Sequence, residues 1–536
     1  MIALLFLIPV LLLPLSSLGI ALLRQSRPGV GYAWLWATLV SLVSAGVILS
    51  LRWQIPLEVS IHQWDPFGQP SMELYFLLDA VSWPYTFTLS ILLVAILLSD
   101  SARLQSDAGP ITWIFSLLIT AIGMLATLAG KPVTLVLTWT AIDLLELMGV
   151  FSTRTGRWVS QPMIIAFAVR VTSTLLVMAA VLLSSAWGID FTFTPISPRL
   201  SFLMLFAAGL RLGVLPLNLP FIREVYSWRG LGNLLRLIGP ASSLMVLGRM
   251  PVDAVPVQWQ PFFLFFSALA ALYGGAMWMA SNPAQNARVY WVIALAGLSV
   301  ASVVRGSAHA SIAWGIALLL TGSVLFLYSA QSRRVMFIPL VAVLGVVGLP
   351  FTPAALGWYG VIGPAFDTYS LLFILAVLML CLGYVRRVLV PREELYSMER
   401  WIHTVYPAGL VLLILAQWGI MAAGWREGFF SLGVWWASLP VALALLGGVW
   451  FFSTRPALMP IHMGNNWLAT FAQGVGGGLA AFFRLNWLYR FLGWLYGLAQ
   501  SFVELLTAIF EGDGGILWAV VMLILLISLL GNGGAP

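Results

Sequence analysis

The chain has 536 residues, 61% of them apolar and 8% charged, with a mean hydropathy of +0.98 and a formal net charge of +7. Soluble domains carry about 25% charged residues, so no water-facing surface can be built from this composition, and the alternating segments of about ten residues that a membrane barrel needs are absent. Its one cysteine, Cys381, excludes a disulfide framework and any cysteine-held metal or iron–sulfur centre within the chain. Neither a Walker loop nor a strand-linked GxGxxG occurs, so the sequence implies no cofactor. The positive charge is read as a topology signal in a lipid bilayer, with no nucleic acid as partner.

A spanning helix needs about 20 apolar residues, and such runs recur from Met1 to Leu530. Sixteen stretches are predicted to cross, at about 1–23, 31–51, 74–99, 111–129, 132–151, 163–186, 200–219, 231–249, 260–281, 289–304, 309–331, 335–352, 366–385, 404–423, 434–453 and 516–531. The first has no basic region ahead of its apolar run and reads as a span, not a removable signal. Residues 466–510 differ: they are rich in Trp and Tyr, hold Arg484, Arg490 and Glu504, and are interrupted by GVGGG. From Phe482 onward this composition suits a helix lying in the membrane interface, with a pair of short helices and a re-entrant turn as the alternative.

Of the 26 Lys and Arg, seventeen follow odd-numbered stretches, six follow even-numbered ones, and Arg170, Arg211 and Arg236 lie inside spans. Basic residues favour the cytoplasmic side, so the odd connections are expected to face the cytoplasm and both termini the outside. Stretches seven and twelve are broken: LGVLPLNLP at 212–220 holds Pro216 and Pro220, and LGVVGLPFTP at 344–353 holds Pro350 and Pro353. Proline removes an amide donor and clashes one turn back. The carbonyls so freed must find partners within protein or in water, and two interrupted helices at corresponding places point to an inverted repeat.

Several stretches, in order, resemble the antiporter-like membrane subunits of respiratory complex I, membrane-bound hydrogenases and multi-subunit cation/proton antiporters. They are FLLDAVSWPYTFTLSILL (76–93), LAGKPVTLVLTWTAIDLLEL (128–147), LRLGVLPLNLP (210–220), SNPAQNARVYWVIALAGLSV (281–300) and GLPFTPAALGW (348–358). The resemblance covers roughly 70–390. It implies an all-α polytopic fold of about 14–16 transmembrane helices, with two inverted five-helix repeats and broken helices seven and twelve. On that frame the chain divides into helices one to three (1–110), a first repeat (111–250), a second repeat (251–390) and a C-terminal part (391–536) ending in the interfacial segment and a last span. The resemblance also implies a prokaryotic inner-membrane location and partner membrane subunits.

The departures are as informative. Arg211 falls on the family's central lysine of helix seven and Asn218 on its histidine. Thr140 stands where the helix-five glutamate belongs, beside a retained Trp139, and the nearest acids are Asp143 and Glu146. The helix-eight lysine falls near Ala241, with Arg236 within two turns. Trp358 occupies an ionisable position of helix twelve, LLLTGSVLF (318–326) holds no His or Lys, and Arg288 keeps a cation before helix ten.

A cation at the bilayer centre costs at least about 2.5–3.5 kcal/mol, so Arg211 needs a partner, and Asp143 or Glu146 is the candidate. These two acids share a helical face, and carboxylates so close in low dielectric do not both ionise readily. Arginine does not release its proton, so Arg211 is expected to act as a fixed counter-charge, either in a proton relay or in a structural ion pair. Arg170 and Arg236 are read as pairing locally or binding lipid, Asp79 and His309 as helix-end or interfacial residues, and the 25 tryptophans mainly as interfacial belts. Arg103, in a connection, is expected to tolerate alanine. Three functions stay open: an ion-translocating subunit of a larger redox-driven or antiporter complex, a structural subunit whose channel has decayed, and a solitary solute transporter.

Overall fold

The computed structural model describes residues 6–26, 32–64, 72–104, 109–153, 161–188, 191–194, 196–219, 229–281, 284–329, 332–362, 366–389, 399–430, 432, 434–454 and a set of positions between 490 and 527. The chain forms two compact units, Met1–Gly464 and Asn465–Pro536.

In the first unit the elements run α1 (Ile8–Ser26), α2 (Ala33–Ser50), β1 (Leu57–Trp64), β2 (Met72–Leu78), α3 (Ser82–Asp100), α4 (Pro110–Thr127), α5 (Pro132–Thr153) and α6 (Gln161–Ala186). They continue as α7 (Pro198–Leu212), α8 (Arg229–Gly248), α9 (Gln260–Ala280), α10 (Ala284–Val304), α11 (Ala308–Leu327), α12 (Arg333–Ala342) and α13 (Leu344–Val347). The last are α14 (Ala355–Val361), α15 (Thr368–Leu389), α16 (Ile402–Gly424), α17 (Arg426–Phe429) and α18 (Trp435–Thr454). Among the described residues twelve helices are long and apolar enough to cross a membrane. The chain is an all-α, multi-pass integral membrane protein. Stretches seven and twelve, the predicted broken ones, are the short helices α7 and α12–α13.

Four helices form the centre. The α11 segment from Ala310 to Leu327 is buried throughout, as are 287–304 of α10 and nearly all of α3 and α8. Small residues allow the close approach, as in other membrane bundles: a Cβ on Gly297 of α10 would lie 2.8 Å from the Ser267 carbonyl of α9. At the periphery, Leu11, Leu15, Leu18 and Leu22 of α1 are exposed at helical spacing, an apolar outer stripe.

Two expectations are corrected here. The third stretch does not begin at 74: residues 72–78 pair antiparallel with 57–64, from Leu57 opposite Leu78 to Trp64 opposite Met72, and α3 starts at Ser82. The hairpin is seated by Leu77 N donating to Leu128 O (2.7 Å), Gly130 N to Tyr75 O (2.9 Å), and a Lys131–Glu73 ion pair at 3.1 Å. Hydrogen bonds from Ser60 and Lys131 hold the Glu73 carboxyl below its ordinary value. Asp79 does stand at a helix end, accepting from Ser82 N at 2.8 Å and from both terminal nitrogens of Arg249 at 3.0 and 3.1 Å.

The second correction is Arg103. It is buried, and its Nη2 donates to Leu327 O (3.2 Å) and Ser329 Oγ (2.7 Å). Tyr406 Oη donates to the same Leu327 carbonyl (3.1 Å) and accepts from Ser329 N (2.7 Å), so the ends of α3, α11 and α16 are tied at one point. Hydrogen bonds to a charged group contribute about 1.5–3 kcal/mol. Arg103→Ala is therefore expected to lower the thermal unfolding temperature of the solubilised protein, where an exposed loop residue would leave it unchanged.

Both breaks end on a left-handed glycine. Gly213 (φ 82°) follows α7 and Gly348 (φ 77°) follows α13, a conformation glycine adopts without steric cost. The sequence match set Gly213 opposite Gly345; the residue that ends the second helix is Gly348, three positions later. Pro216, Pro350 and Pro353 lie in the turns after these glycines, and Pro220 lies outside the described residues. Phe351 takes a positive φ of 63° in the turn before α14.

In the second unit the described positions from 490 to 507 and from 518 to 527 are helical and mostly exposed, with Gln500 Nε2 donating to Glu504 Oε1 at 2.8 Å. The GVGGG interruption lies outside the described residues.

Candidate functional site

On α5, Trp139, Asp143 and Glu146 follow one another at four and three residues, which sets them along one helical face. Asp143 is 3% exposed and Glu146 2%, deep enough that each carboxylate requires a partner. Two arginines supply it. Arg211, in the last turn of α7 and 1% exposed, clamps Asp143 with Nη1 to Oδ2 at 3.0 Å and Nη2 to Oδ1 at 2.6 Å. Arg170, buried on α6, donates from Nη1 to Glu146 Oε2 and stands 3.5 Å from Asp143 Oδ1. Three helices thus bring together two positive and two negative groups, formally neutral as a set.

The break in α7 places Arg211. The helix stops one residue beyond it at Leu212, and its C-terminal end, where unpaired carbonyls carry partial negative charge, favours a cation. The guanidinium also lies 4.6 Å from the Trp139 ring centroid, a cation–π contact. Trp139 is in turn fixed by its indole donating to Ser242 Oγ of α8 at 2.8 Å. Asn218 closes the turn: its Nδ2 donates to Leu210 O (3.3 Å) and Pro216 O (2.9 Å).

Three buried polar atoms around this break have no hydrogen-bond partner: Glu146 Oε1, Arg211 Nε and Asn218 Oδ1. Buried polar atoms in folded proteins are nearly always paired, and of these three the carboxylate oxygen Glu146 Oε1 is the one that can accept either a hydrogen bond or a proton. Glu146 is the more available carboxylate, since both Asp143 oxygens are engaged while one oxygen of Glu146 is open.

Of the residues singled out from sequence, Asp143, Glu146, Arg211 and Asn218 form or border this cluster. Thr140 lies apart from it: it is exposed, and its hydroxyl donates to Val136 O of its own helix at 2.8 Å. Arg236 is buried in α8, and Arg288 is buried in α10 with its guanidinium 5.5 Å from the Phe326 ring. His309 is exposed, 6.3 Å from the Trp425 ring. Arg170, read as pairing locally or binding lipid, does pair locally, with Glu146 and beside Asp143; what the sequence reading lacks is its place in this cluster. Its signal in the sequence was electroneutrality: two intramembrane carboxylates need two cations, and only three arginines lie inside spans.

The comparisons with known proteins follow the same line. No protein-family model matches the chain, and no curated protein does. Among solved structures, a chain of the Mrp complex from Dietzia sp. DQ12-45-1b superposes over 99% of this chain with a TM-score of 0.66 at 15% identity. A chain of the membrane-bound sulfane sulfur reductase, an archaeal respiratory membrane complex, does so over 98% with a TM-score of 0.67 at 14% identity. The fold is shared with both. This protein spans 63% of the length of the Mrp chain and 100% of the reductase chain. The fold that the ordered motifs of 70–390 led one to expect is the fold the superposition shows.

Proposed function

We propose that this chain is an ion-translocating membrane subunit that moves protons as part of a larger redox-driven or antiporter complex. The observation that carries the reading is the buried Arg211–Asp143–Arg170–Glu146 set beside a broken helix, with one carboxylate oxygen left open. Arginines cannot give up their protons, so in this reading Arg211 and Arg170 are fixed cations, Asp143 is the clamped counter-ion, and Glu146 takes up and releases the proton at Oε1. When Glu146 is neutral, the set carries one net positive charge, and Asp143, whose Oδ1 stands 3.5 Å from Arg170 and whose two oxygens accept from Arg211, is the one anion between the two guanidiniums. The match to chains of the Mrp complex and of an archaeal respiratory membrane complex supports partner subunits, and the charge asymmetry supports cytoplasmic odd connections with both termini outside.

The test is ion flux through the complex reconstituted in vesicles, followed with a pH-sensitive dye and with Na⁺ as the alternative cation, for the native chain and for Glu146→Gln. Proton uptake abolished by Glu146→Gln is the expected result. Uptake that follows Na⁺ corrects the ion, and native-level uptake in the variant removes the reading. The structural-subunit reading is favoured by one observation, the aromatic filling of the α9–α15 half by Trp358 and its neighbours. It predicts no flux from the native chain and loss of assembly when the chain is deleted.

A further inference from the structure

Trp278, Trp291, Trp314 and Trp358 are fully buried within α9–α15, and each does the same two things. The ring lies against a glycine, and the indole N–H donates to a main-chain carbonyl. A Cβ on Gly383 would sit 2.7 Å from Trp278, on Gly322 2.3 Å from Trp291, on Gly357 2.7 Å from Trp314 and on Gly348 2.0 Å from Trp358. The bonds run from Trp278 to Leu380 O (3.1 Å), Trp291 to Leu318 O (3.0 Å), Trp314 to Gly357 O (3.0 Å) and Trp358 to Val347 O (2.9 Å). These four are core residues and stand apart from the interfacial belts expected of most of the tryptophans.

The last two bonds fall at the second broken helix. Val347 ends α13 and Gly357 lies in the short α14, where the interruption leaves carbonyls without intrahelical donors. Gln417 of α16 fills a third, donating to Gly345 O at 3.1 Å while its own oxygen accepts from Thr321 Oγ1 at 2.8 Å. The rings pack on one another, Trp278 with Trp291 at 5.2 Å, Trp291 with Tyr384 at 5.7 Å and Trp314 with Trp358 at 5.6 Å between centroids. A buried water needs about three polar partners. Here three carbonyls at the break accept indole or amide hydrogens, and among the described residues between 257 and 389 the buried charged side chains are Arg288, Arg386 and Arg387, with no buried Asp, Glu, Lys or His. The first half differs in the kind of group it buries: the Trp139 indole is bonded to a side chain, its ring face holds Arg211, and a carboxylate oxygen, Glu146 Oε1, stays open beside Asn218 Oδ1, whereas Ser267 and Ser311 of the second half leave open only neutral hydroxyls.

We infer that the α9–α15 half is a dry barrier closed by indole-to-carbonyl bonds, and, resting on the proposed ion translocation, that any ion crosses through the α5–α8 half alone. Cys381 is the chain's one cysteine and is buried, so Cys381→Ala gives a thiol-free background in the full chain. Single cysteines are placed at Ser302, which faces Gly360 of α14, at Thr321 beside Gln417, and at Asn218. Native membrane vesicles are then treated with a small cationic methanethiosulfonate. Asn218→Cys is expected to react, and Ser302→Cys and Thr321→Cys to stay protected. Adding Trp358→Phe, which keeps a ring but removes the donor, should make Ser302→Cys reactive, and Trp358→Ala more so. Labelling of Ser302→Cys or Thr321→Cys with all four indoles in place overturns the barrier, and protection that survives Trp358→Ala in a folded chain overturns the indole bonds as its cause. An unreactive Asn218→Cys beside a protected second half counts against the ion path through α5–α8 and leaves the barrier standing.

Discussion

Arg211→Ala is expected to destabilise the protein by about 3–5 kcal/mol, and adding Asp143→Asn to recover much of that loss. The magnitude follows from what remains when the guanidinium is removed. Asp143, 3% exposed, loses both short bonds of its bidentate clamp and keeps only Arg170 at 3.5 Å, which must also serve Glu146. An uncompensated charge in a low-dielectric interior costs far more than the exposed ion pairs of a surface, which contribute about 0–1 kcal/mol. The Trp139 ring loses its cation at the same time. Neutralising Asp143 in the same chain removes the stranded charge, so the double variant should assemble and unfold closer to the native chain than Arg211→Ala does. A thermal or denaturant unfolding series on the solubilised protein checks this; a double variant no more stable than Arg211→Ala would show that the pair does not act as a unit. Because an arginine at the end of α7 sets the geometry of the whole cluster, neither variant is expected to sustain ion flux.

Glu146→Gln is the second large effect, and it separates folding from function. Glutamine matches glutamate in size, its side-chain oxygen can still accept from Arg170, and Arg170 retains Asp143 within reach. The chain should therefore fold and assemble, with its unfolding transition close to native. What it cannot do is carry a proton, so vesicle flux should fall to the level of protein-free vesicles. Asp143→Asn distinguishes the roles further: it removes the clamped anion and leaves Arg211 buried without its carboxylate, so it should cost stability as well as flux. Full flux in Glu146→Gln would place the carrier elsewhere, whatever its effect on assembly.

The bundle was readable from sequence because its determinants are local. Apolar runs of spanning length lie between charged connections, and the two interrupted helices carried proline where a helix cannot continue. The hairpin was not readable, since β2 runs straight into the apolar start of α3 and a strand of seven residues has no signature inside so long an apolar stretch. Arg103 was misjudged because its partner carbonyl is 224 residues away, a distance no periodicity reports. That Arg211 pairs with Asp143 or Glu146 could be argued in advance on energetic grounds alone, because neither charge is tolerable by itself at that depth. The Arg170–Glu146 bond joins neighbouring helices by the same logic, but three intramembrane arginines and two acids left the assignment underdetermined. Tryptophans of the second half were invisible for a different reason: their acceptors are main-chain carbonyls, which every residue possesses, and only the packing against glycine shows which are used.

Infrared difference spectroscopy of the carboxylic acid C=O stretch, on the native complex in membranes between alkaline and acidic pH, addresses the central claim most directly. A protonated carboxyl signal that appears in the native chain, disappears in Glu146→Gln and persists in Glu504→Gln, outside the cluster, is the result expected of a buried charge set with one exchangeable proton. The same signal undiminished in Glu146→Gln would contradict it.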